Sequence, residues 1–283
     1  MPYEQTIIYL DEQTVLAECG PMRLTIQAWK NGKAQNQLCQ QAAEYAFSCL
    51  ESVANHRTLL SQRVQKIHSL PENDLEQRMI ESVKVIGDPD LTPMAAVAGT
   101  IADFVADWLF DNGPTKVVVD NGGDIAIRLA KGETASVGIR PQINRTELSH
   151  IATLDNRRSS WGITTSGLGG RSFTRGIASA VTVLAENSSL ADAASTAIAN
   201  DCFVEDSSII QVPAGQIDLN TDIAMVKVTV GVGVLNPAKK AQAVQNALSK
   251  ANAFCRQKLI IGALIALEDI FVMTPSMEEF IST

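Results

Sequence analysis

The sequence predicts an α+β fold in which antiparallel strands pack against amphipathic helices. A strand meander opens the chain between residues 6 and 29, with a Gly-Pro turn inside it. A stretch without Gly or Pro follows, and its apolar residues recur at helical spacing. Strand and helix patterns then alternate to the C-terminal end, which indicates mixed layers rather than an all-helical or all-strand protein.

The predicted elements follow the chain in order. Helices are expected at 37–70 in one or two pieces, 72–85, from 92 onward, 190–200 and 237–257. Strands are expected at 6–10, 14–17, 22–29, 116–119, 125–129, 134–139, 151–154, 161–165, 177–185, 208–212, 224–235, 258–267 and 270–273. No linker separates them, so residues 1–283 are predicted to form a single domain, with two intertwined α+β halves as the alternative.

Composition and charge exclude several classes of protein. Hydrophobic residues make up 46% and charged residues 19% of the 283 residues, which is typical of a globular chain and not of a disordered one. The net charge of −8 without a basic stripe argues against nucleic acid as a partner. The apolar segment 259–272 contains Glu268 and Asp269 and is too short to span a bilayer, so no membrane role is expected.

The N-terminal residues lack the basic and apolar regions of a signal peptide, and a cytoplasmic location is therefore expected. The five cysteines are scattered and include no CxxC pair, and the three histidines show no ligand spacing with them. A zinc site is not predicted.

Small residues dominate the start of the helix that follows Thr92 and Pro93. Thr92 is expected to cap this helix, with Pro93 in its first turn. Gly99 inside the helix costs about 1 kcal/mol relative to Ala. Two explanations for a glycine at this position remain open: packing of the helix against a sheet, or close approach of a ligand.

The loop from Asp120 to Asp124 lies between two apolar strands. Asn121, Gly122 and Gly123 predict a tight hairpin turn. The same residues suit a binding loop, because glycine lets a polar ligand approach the backbone and asparagine both donates and accepts hydrogen bonds. The sequence leaves both explanations open.

A glycine-rich turn follows the strand that begins at Trp161. Its backbone N–H groups are suited to cradling a phosphate, and Arg171 and Arg175 supply positive charge nearby. No Gly-Lys-Ser/Thr follows, so the turn is not a P-loop. No G-x-S-x-G elbow surrounds Ser166, so serine hydrolysis is not indicated.

The helix near residue 190 carries a carboxylate and a hydroxyl on one face. Asp192 and Thr196 are four residues apart, and the residues around them are mostly alanine. Such a pair can form half of a Mg²⁺ site, because this ion prefers oxygen ligands. The alternative is an ordinary helix start, with Ser188 or Ser189 as the cap.

The order of these motifs is more specific than any one of them. The chain resembles the ApbE family of flavin transferases, and more closely the UPF0280 family of ApbE-like proteins, on a set of short motifs. These are the small-residue helix with Gly99 and Asp103, followed by V-V-V-D-N-G-G-D-I, T-T-S-G, V-T-V-L-A and A-D-A-A-S-T-A. The resemblance covers residues 93–200 well and the C-terminal third loosely.

The resemblance implies a T-fold-like α+β architecture of antiparallel sheets backed by helices. It implies a Mg²⁺ ion held by Asp192, Thr196 and the backbone carbonyl of Ala95. In the family, FAD is split and its FMN half is moved onto a Thr or Ser of a target protein. Flavin-nucleotide contacts are expected at Gly99, Asn121, Gly122, Gly123, Thr165, Ser166 and Gly167, with Arg171 as the cation of the turn.

Two departures from the transferases concern the chemistry. Ala98 stands where they have a Lys, and the segment from Gly167 to Val181 contains no His-His-x-x-Asp-Pro sequence. The leading hypothesis is a pocket for FAD, FMN or another small anionic ligand, with Mg²⁺-assisted transferase or hydrolase chemistry. The alternative hypothesis is a non-catalytic binding or scaffold protein that has lost FMN transfer, with a homodimer formed through β-edges.

Overall fold

The computed structural model describes residues 3–140, 148–170 and 172–282. The helices are α1 Asn36–Asn55, α2 Arg57–Leu60, α3 Asp74–Ile86, α4 Val97–Asp111, α5 Ser188–Asp201, α6 Pro237–Arg256 and α7 Pro275–Glu278. Single 3₁₀ turns lie at Val64–Lys66, Pro93–Ala96 and Ala214–Gln216.

The strands run through the same three parts of the chain. They are β1 Gln5–Tyr9, β2 Val15–Cys19, β3 Met22–Lys30, β4 Lys33–Ala34, β5 Lys116–Asn121, β6 Asp124–Leu129, β7 Thr134–Ile139, β8 His150–Asp155, β9 Ser160–Ser166, β10 Ala180–Ala185, β11 Ile209–Pro213, β12 Lys227–Val232, β13 Gly262–Leu267, β14 Ile270–Met273 and β15 Ile281–Ser282.

A large antiparallel sheet organises the molecule. Its strand order is β1-β2-β3-β5-β6-β9-β10-β13-β14, with β4 paired to β3. A two-stranded ribbon of β11 and β12 and a three-stranded sheet of β15, β8 and β7 are separate from it. The predicted α+β class, with antiparallel sheets backed by helices, is confirmed.

The two faces of the large sheet are covered differently. Helices α1 and α4 pack on β3, β5 and β6, while α5 packs on β9 and β10 and α6 on β13. Because side chains alternate along a strand, Val117 and Val119 face these helices. Ile127, Trp161 and Ile163 face the opposite side, where they share a core with the three-stranded sheet.

The helix starts follow local sequence signals, with one correction. Thr92 accepts a hydrogen bond from the N–H of Met94 at 3.3 Å, as predicted. The cap of α5 is Asn187, which accepts from the N–H of Leu190 at 2.9 Å. Ser188 and Ser189 were the expected caps, but both lie inside the first turn, because the asparagine side chain already fills the capping position.

Several boundaries differ from the sequence expectations. The predicted helix 37–70 is broken: α1 ends at Asn55, and α2 and a 3₁₀ turn follow. The helix after Thr92 begins with the 3₁₀ turn Pro93–Ala96 before α4. The strand expected at 177–185 starts only at Ala180, because residues before it form the return of the glycine-rich turn.

Pro93–Asp111 is the one described segment with the length and apolar composition to cross a membrane, at a mean hydropathy of 1.3. Just over half of it, 56%, is buried inside the protein. It packs between α1, α5 and the large sheet. Its apolar composition is that of a core helix.

Gly162 in β9 allows α5 to begin directly against the sheet. A Cβ atom at Gly162 would lie 2.1 Å from the carbonyl carbon of Asn187. We expect Gly162→Ala to lower the free energy of unfolding by about 1 to 3 kcal/mol, because backbone must move to accept the methyl group. Urea denaturation followed by circular dichroism measures this change.

Gly231→Ala in β12 is the matched control, since the nearest atom to its added Cβ would lie 3.7 Å away. The control should unfold at nearly the wild-type urea concentration. Equal stability of both variants would contradict the close contact between β9 and α5.

Candidate functional site at the crossing of α4 and α5

A buried carboxylate joins α4 to the start of α5. Asp103 accepts hydrogen bonds from the N–H of Ser188 at 3.1 Å and from the N–H of Ser189 at 2.7 Å. The Ser189 hydroxyl also donates to it, at 2.6 Å. The first N–H groups of a helix have no partner within the helix and carry partial positive charge, so the carboxylate satisfies both needs.

Arg128 neutralises the same carboxylate from the sheet. Its Nη2 lies 2.9 Å from Asp103 Oδ1, and its Nε lies 2.7 Å from Asp107 Oδ1. Burial lowers the pKa of Arg128, but the charges of Asp103 and Asp107 outweigh that effect and raise it. Arg78 continues the chain of charges, 3.0 Å from Asp107.

Gly99 lies where the two helices cross. A Cβ atom there would lie 2.3 Å from the carbonyl oxygen of Ser188 and 2.9 Å from the Cβ of Asp192. The small residues of α4 are therefore explained by packing on helix α5, whereas the sequence suggested packing on a sheet. The N–H of Gly99 donates to Asp192 Oδ2 at 2.9 Å, so the crossing also orients this carboxylate.

Asp192 has an unusual electrostatic environment. Burial raises the pKa of its carboxyl to about 7; the backbone N–H groups of Gly99 and Ala98 lower it, and the nearby charge of Asp103 raises it. Within residues 3–140, 148–170 and 172–282, no Lys, Arg or His forms an ion pair with it. A carboxylate in such a place favours either a proton or a bound cation.

The other two expected metal ligands are the side chain of Thr196 on α5 and the backbone carbonyl of Ala95 in the 3₁₀ turn before α4. Thr196 is one helical turn after Asp192 and is 9% exposed. Ala95 is half-buried in the 3₁₀ turn that packs on α5. Among the residues described, no group of three His, Cys, Asp or Glu is arranged to hold a metal. A metal here would therefore need hydroxyl and carbonyl oxygens beside the one carboxylate.

The Asn121 loop is a tight hairpin turn that also contacts α4. Gly122 and Gly123 have φ values of 68° and 108°, and Asp120 accepts a hydrogen bond from the N–H of Gly123 at 2.6 Å. Asn121 is buried and donates to the carbonyl of Ala98 at 3.2 Å. The hairpin prediction is confirmed. The Cβ direction of Gly123 points into open space, so its backbone is accessible.

Strand β9 presents alternate hydroxyls to opposite faces of the sheet. Gly162 faces α5, so Thr164 and Ser166 share the helix-covered face. Thr165 faces the other side, where its hydroxyl lies 2.9 Å from that of Thr182. The Thr165 side chain therefore lies on the face of the sheet opposite to α5, and its expected contact with a flavin nucleotide stays a prediction.

Thr164 belongs to the T-T-S-G motif but was not among the expected flavin contacts. Its side chain is fully buried, and its Oγ1 has no hydrogen-bond partner among the described atoms. It is paired in register with Asp124 on one side and Val183 on the other. Counting alternate positions from Gly162 would have found it, once the face of Gly162 was known.

The glycine-rich turn is compact. Gly167 has a φ of 150°, and a Cβ there would lie 2.9 Å from the carbonyl oxygen of Ala178. The N–H of Leu168 donates to that carbonyl at 2.8 Å. Arg171, the predicted cation of the turn, lies outside the described residues. Arg175, the second cation, contacts acidic side chains beyond the turn.

Replacing Asp103 tests whether its charge holds the crossing together. We expect Asp103→Asn to lower the free energy of unfolding by about 3 to 5 kcal/mol, because the buried guanidinium of Arg128 loses a partner. Urea denaturation provides the measurement. Asp155→Asn, which removes an exposed contact with Arg157, is the control and should change stability little. Similar effects of the two substitutions would argue against a structural role for Asp103.

The raised pKa of Asp192 predicts that replacing this carboxylate raises the free energy of unfolding at high pH, whereas replacing Asp103 lowers it. In the metal-free protein its stabilising contribution is present below the unfolded-state pKa of about 4 and is lost as pH rises through about 7. Asp192→Asn cannot ionise, and its side-chain oxygen still accepts from Gly99. We therefore expect the variant to be more stable than wild type at pH 8, by up to about 4 kcal/mol, because the pKa is raised from 3.8 to about 7.

Thermal unfolding in EDTA at pH 4.5 and pH 8 measures the difference. The gap between variant and wild type should widen with pH. A constant gap, or a variant that loses stability at pH 8, would contradict the raised pKa.

The antiparallel sheet, its helical cover and the α4–α5 crossing define an ApbE-type fold. The ApbE protein of Thermotoga maritima shares it with a TM-score of 0.52 and 13% identity, covering 98% of this chain and 99% of that one. The apo flavinyl transferase ApbE of Pseudomonas stutzeri gives 0.51 and 14%, covering 99% and 98%. At these identities the similarity is one of fold.

The family follows from the sequence comparison. A family model described as AbpE bacteria matches residues 8–274, and the chain belongs to this UPF0280, ApbE-like family. A UPF0280 protein of Archaeoglobus fulgidus is 38% identical over 127 residues, which are 45% of this chain and 50% of the relative. One of Methanosarcina barkeri is 34% identical over 146 residues, 50% and 55% of the two chains. The matches span about half the length of these relatives.

Proposed function

We propose that the chain binds a flavin nucleotide together with Mg²⁺ at the α4–α5 crossing. The observation that carries the proposal is the environment of Asp192. Its carboxylate is half-buried, oriented by the N–H of Gly99 and not paired with a cation among the described residues. A divalent cation bound there would offset the desolvation that now raises its pKa.

The residues around Asp192 fit a magnesium ion. Mg²⁺ takes oxygen ligands, and it is commonly held by one or two carboxylates with water and phosphate oxygens in the other positions. Asp192 supplies the carboxylate, Thr196 the hydroxyl and Ala95 the backbone carbonyl. A bound metal would supply positive charge for the phosphates of the ligand.

The loops beside the crossing supply contacts of the kind a nucleotide uses. The Cβ direction of Gly123 is open, and Gly169 and Gly170 in the turn after Ser166 are exposed, so backbone at these positions is accessible to a ligand. The flavinyl transferase among the structural neighbours supports a flavin as the ligand. FAD and FMN are the ligands we propose.

Binding is better supported than cleavage of the ligand. Ala98 offers no cation, and the described residues between Gly167 and Val181 include no histidine. Arg175 is the described cation in that segment, and Asp88 and Asp90 engage its side chain. The described residues at these positions therefore supply neither a free cation for the phosphates nor a histidine to act as an acid or a base in transferase or hydrolase chemistry.

A non-catalytic scaffold is the second candidate, and one observation favours it. Gly99 and Asp103, which belong to the motifs shared with the transferases, are both used in packing α4 against α5. The cytoplasmic location, the absence of nucleic-acid and membrane partners, the single domain and the β-edge homodimer remain predictions.

Calorimetry with FAD and FMN, each with MgCl₂ or with EDTA, tests the proposal. We expect saturable binding of one of them in Mg²⁺ and at least a tenfold weaker affinity in EDTA, since a metal-bridged phosphate contributes on the order of 1.4 kcal/mol or more. Asp192→Asn should lose the Mg²⁺ dependence while remaining folded.

Asp111→Asn at the exposed end of α4 is the control and should bind like wild type. If neither nucleotide binds to the wild-type protein in Mg²⁺, the scaffold function replaces the binding function. If binding is equal in EDTA, the nucleotide is bound without the metal site at Asp192.

A further inference from the structure

A polar cavity lies at the C-terminal end of α5, away from Asp192. Its volume is about 870 Å³, and it is an open cleft bordered by the end of α5, one face of α6, the β11–β12 ribbon and the loop before Pro93. We call it the Arg175 cavity. Its charged lining consists of Arg63, Asp90, Arg175, Asp201, Lys227 and Lys250. The volume lies in the range of pockets for small molecules.

Two carboxylates, those of Asp88 and Asp90, hold the side chain of Arg175 in place. Its Nη2 lies 2.9 Å from Oδ2 of Asp88, whose side chain is only 2% exposed, and its Nη1 contacts Asp90. Arg63 holds the other oxygen of Asp90 at 2.9 Å. The two guanidinium groups are thus positioned before any ligand arrives, which lowers the entropic cost of binding.

The backbone of Arg175 is fixed as well. Its N–H donates to Asn200 Oδ1 at 2.8 Å, and its carbonyl accepts from Gln211 Nε2 at 2.7 Å and from Thr229 Oγ1 at 2.9 Å. These partners lie on α5, β11 and β12. Three separate elements therefore hold the backbone of Arg175 at the cavity wall, so its position is fixed independently of its ion pairs.

The cavity is more positive than the protein around it. Its four cations face two carboxylates in the lining and Asp88 beneath, in a chain whose net charge is −8. Lys250 pairs with Asp201 at 3.1 Å. Lys227 is exposed, and no carboxylate in the described part of the chain pairs with it.

Hydrogen-bond donors remain available on the guanidinium groups. Each guanidinium carries five N–H donors. The described contacts of Arg175 use its two Nη atoms, and those of Arg63 use one. We propose that the Arg175 cavity binds a multiply charged oxyanion of the phosphate class, such as the diphosphate of a nucleotide-sized ligand. Arg63, Arg175 and Lys227 are its ligating cations.

This site is distinct from the α4–α5 crossing. Asn200 follows Asp192 by eight residues on α5, which places the two about 12 Å apart along the helix. The binding in the Arg175 cavity uses cations and needs no metal. The inference therefore stands independently of the function proposed for Asp192.

Calorimetric titration with sodium pyrophosphate in EDTA tests the proposal, with ADP and citrate titrated in parallel. We expect saturable binding of pyrophosphate and of ADP. Lys227→Gln and Arg63→Gln should each weaken it about five- to tenfold, because each removes a charged donor. Both side chains are exposed, so both variants should keep the wild-type melting temperature.

Lys131→Gln, in the exposed turn between β6 and β7, removes the same charge elsewhere and should bind pyrophosphate like wild type. Asp192→Asn should also bind it like wild type. The absence of saturable pyrophosphate and ADP binding overturns the proposal. Equal weakening by Lys131→Gln, or loss in Asp192→Asn, overturns it as well, and tighter binding of citrate than of both phosphates overturns the phosphate class.

Discussion

The carboxylate of Asp103 is the contact on which the candidate site depends. It lies between the guanidinium of Arg128 on the sheet and the first N–H groups of α5, so sheet, α4 and α5 meet at one buried charge. Without Arg128 the buried carboxylate would lose its counter-charge and keep only the hydrogen bonds from α5. The position of Asp192, one turn further along α5, follows from this anchoring.

Two glycines allow α5 to fit into that position. Gly99 removes side-chain volume on the α4 side and Gly162 removes it on the β9 side, and each has α5 backbone where a Cβ atom would be. The start of α5 is therefore held between two backbones. The same close approach brings Asp192 within hydrogen-bond distance of Gly99. It also shields the carboxyl group of Asp192 from water, which raises its pKa.

Local features were predictable from the sequence, and features that depend on distant contacts were not. The Thr92 cap, the Asn121 hairpin and the shared face of Asp192 and Thr196 each follow from neighbouring residues. The face of Thr165 depends on which side of β9 meets α5, and spacing within the strand does not specify it. Arg175 forms ion pairs with Asp88 and Asp90, which are some 85 residues away in sequence, and no local sequence pattern predicts such a contact.

The two ends of α5 have opposite electrostatic characters, and both match the helix dipole. The carboxylate of Asp103 lies at the positive N-terminal end, while Arg175 and Lys250 gather near the negative C-terminal end. An anion in the Arg175 cavity gains nothing from the dipole, so its affinity must come from the excess of cations there. Burial, helped by the nearby charge of Asp103, raises the pKa of Asp192, so the cation that we propose there would have to displace a proton in order to bind.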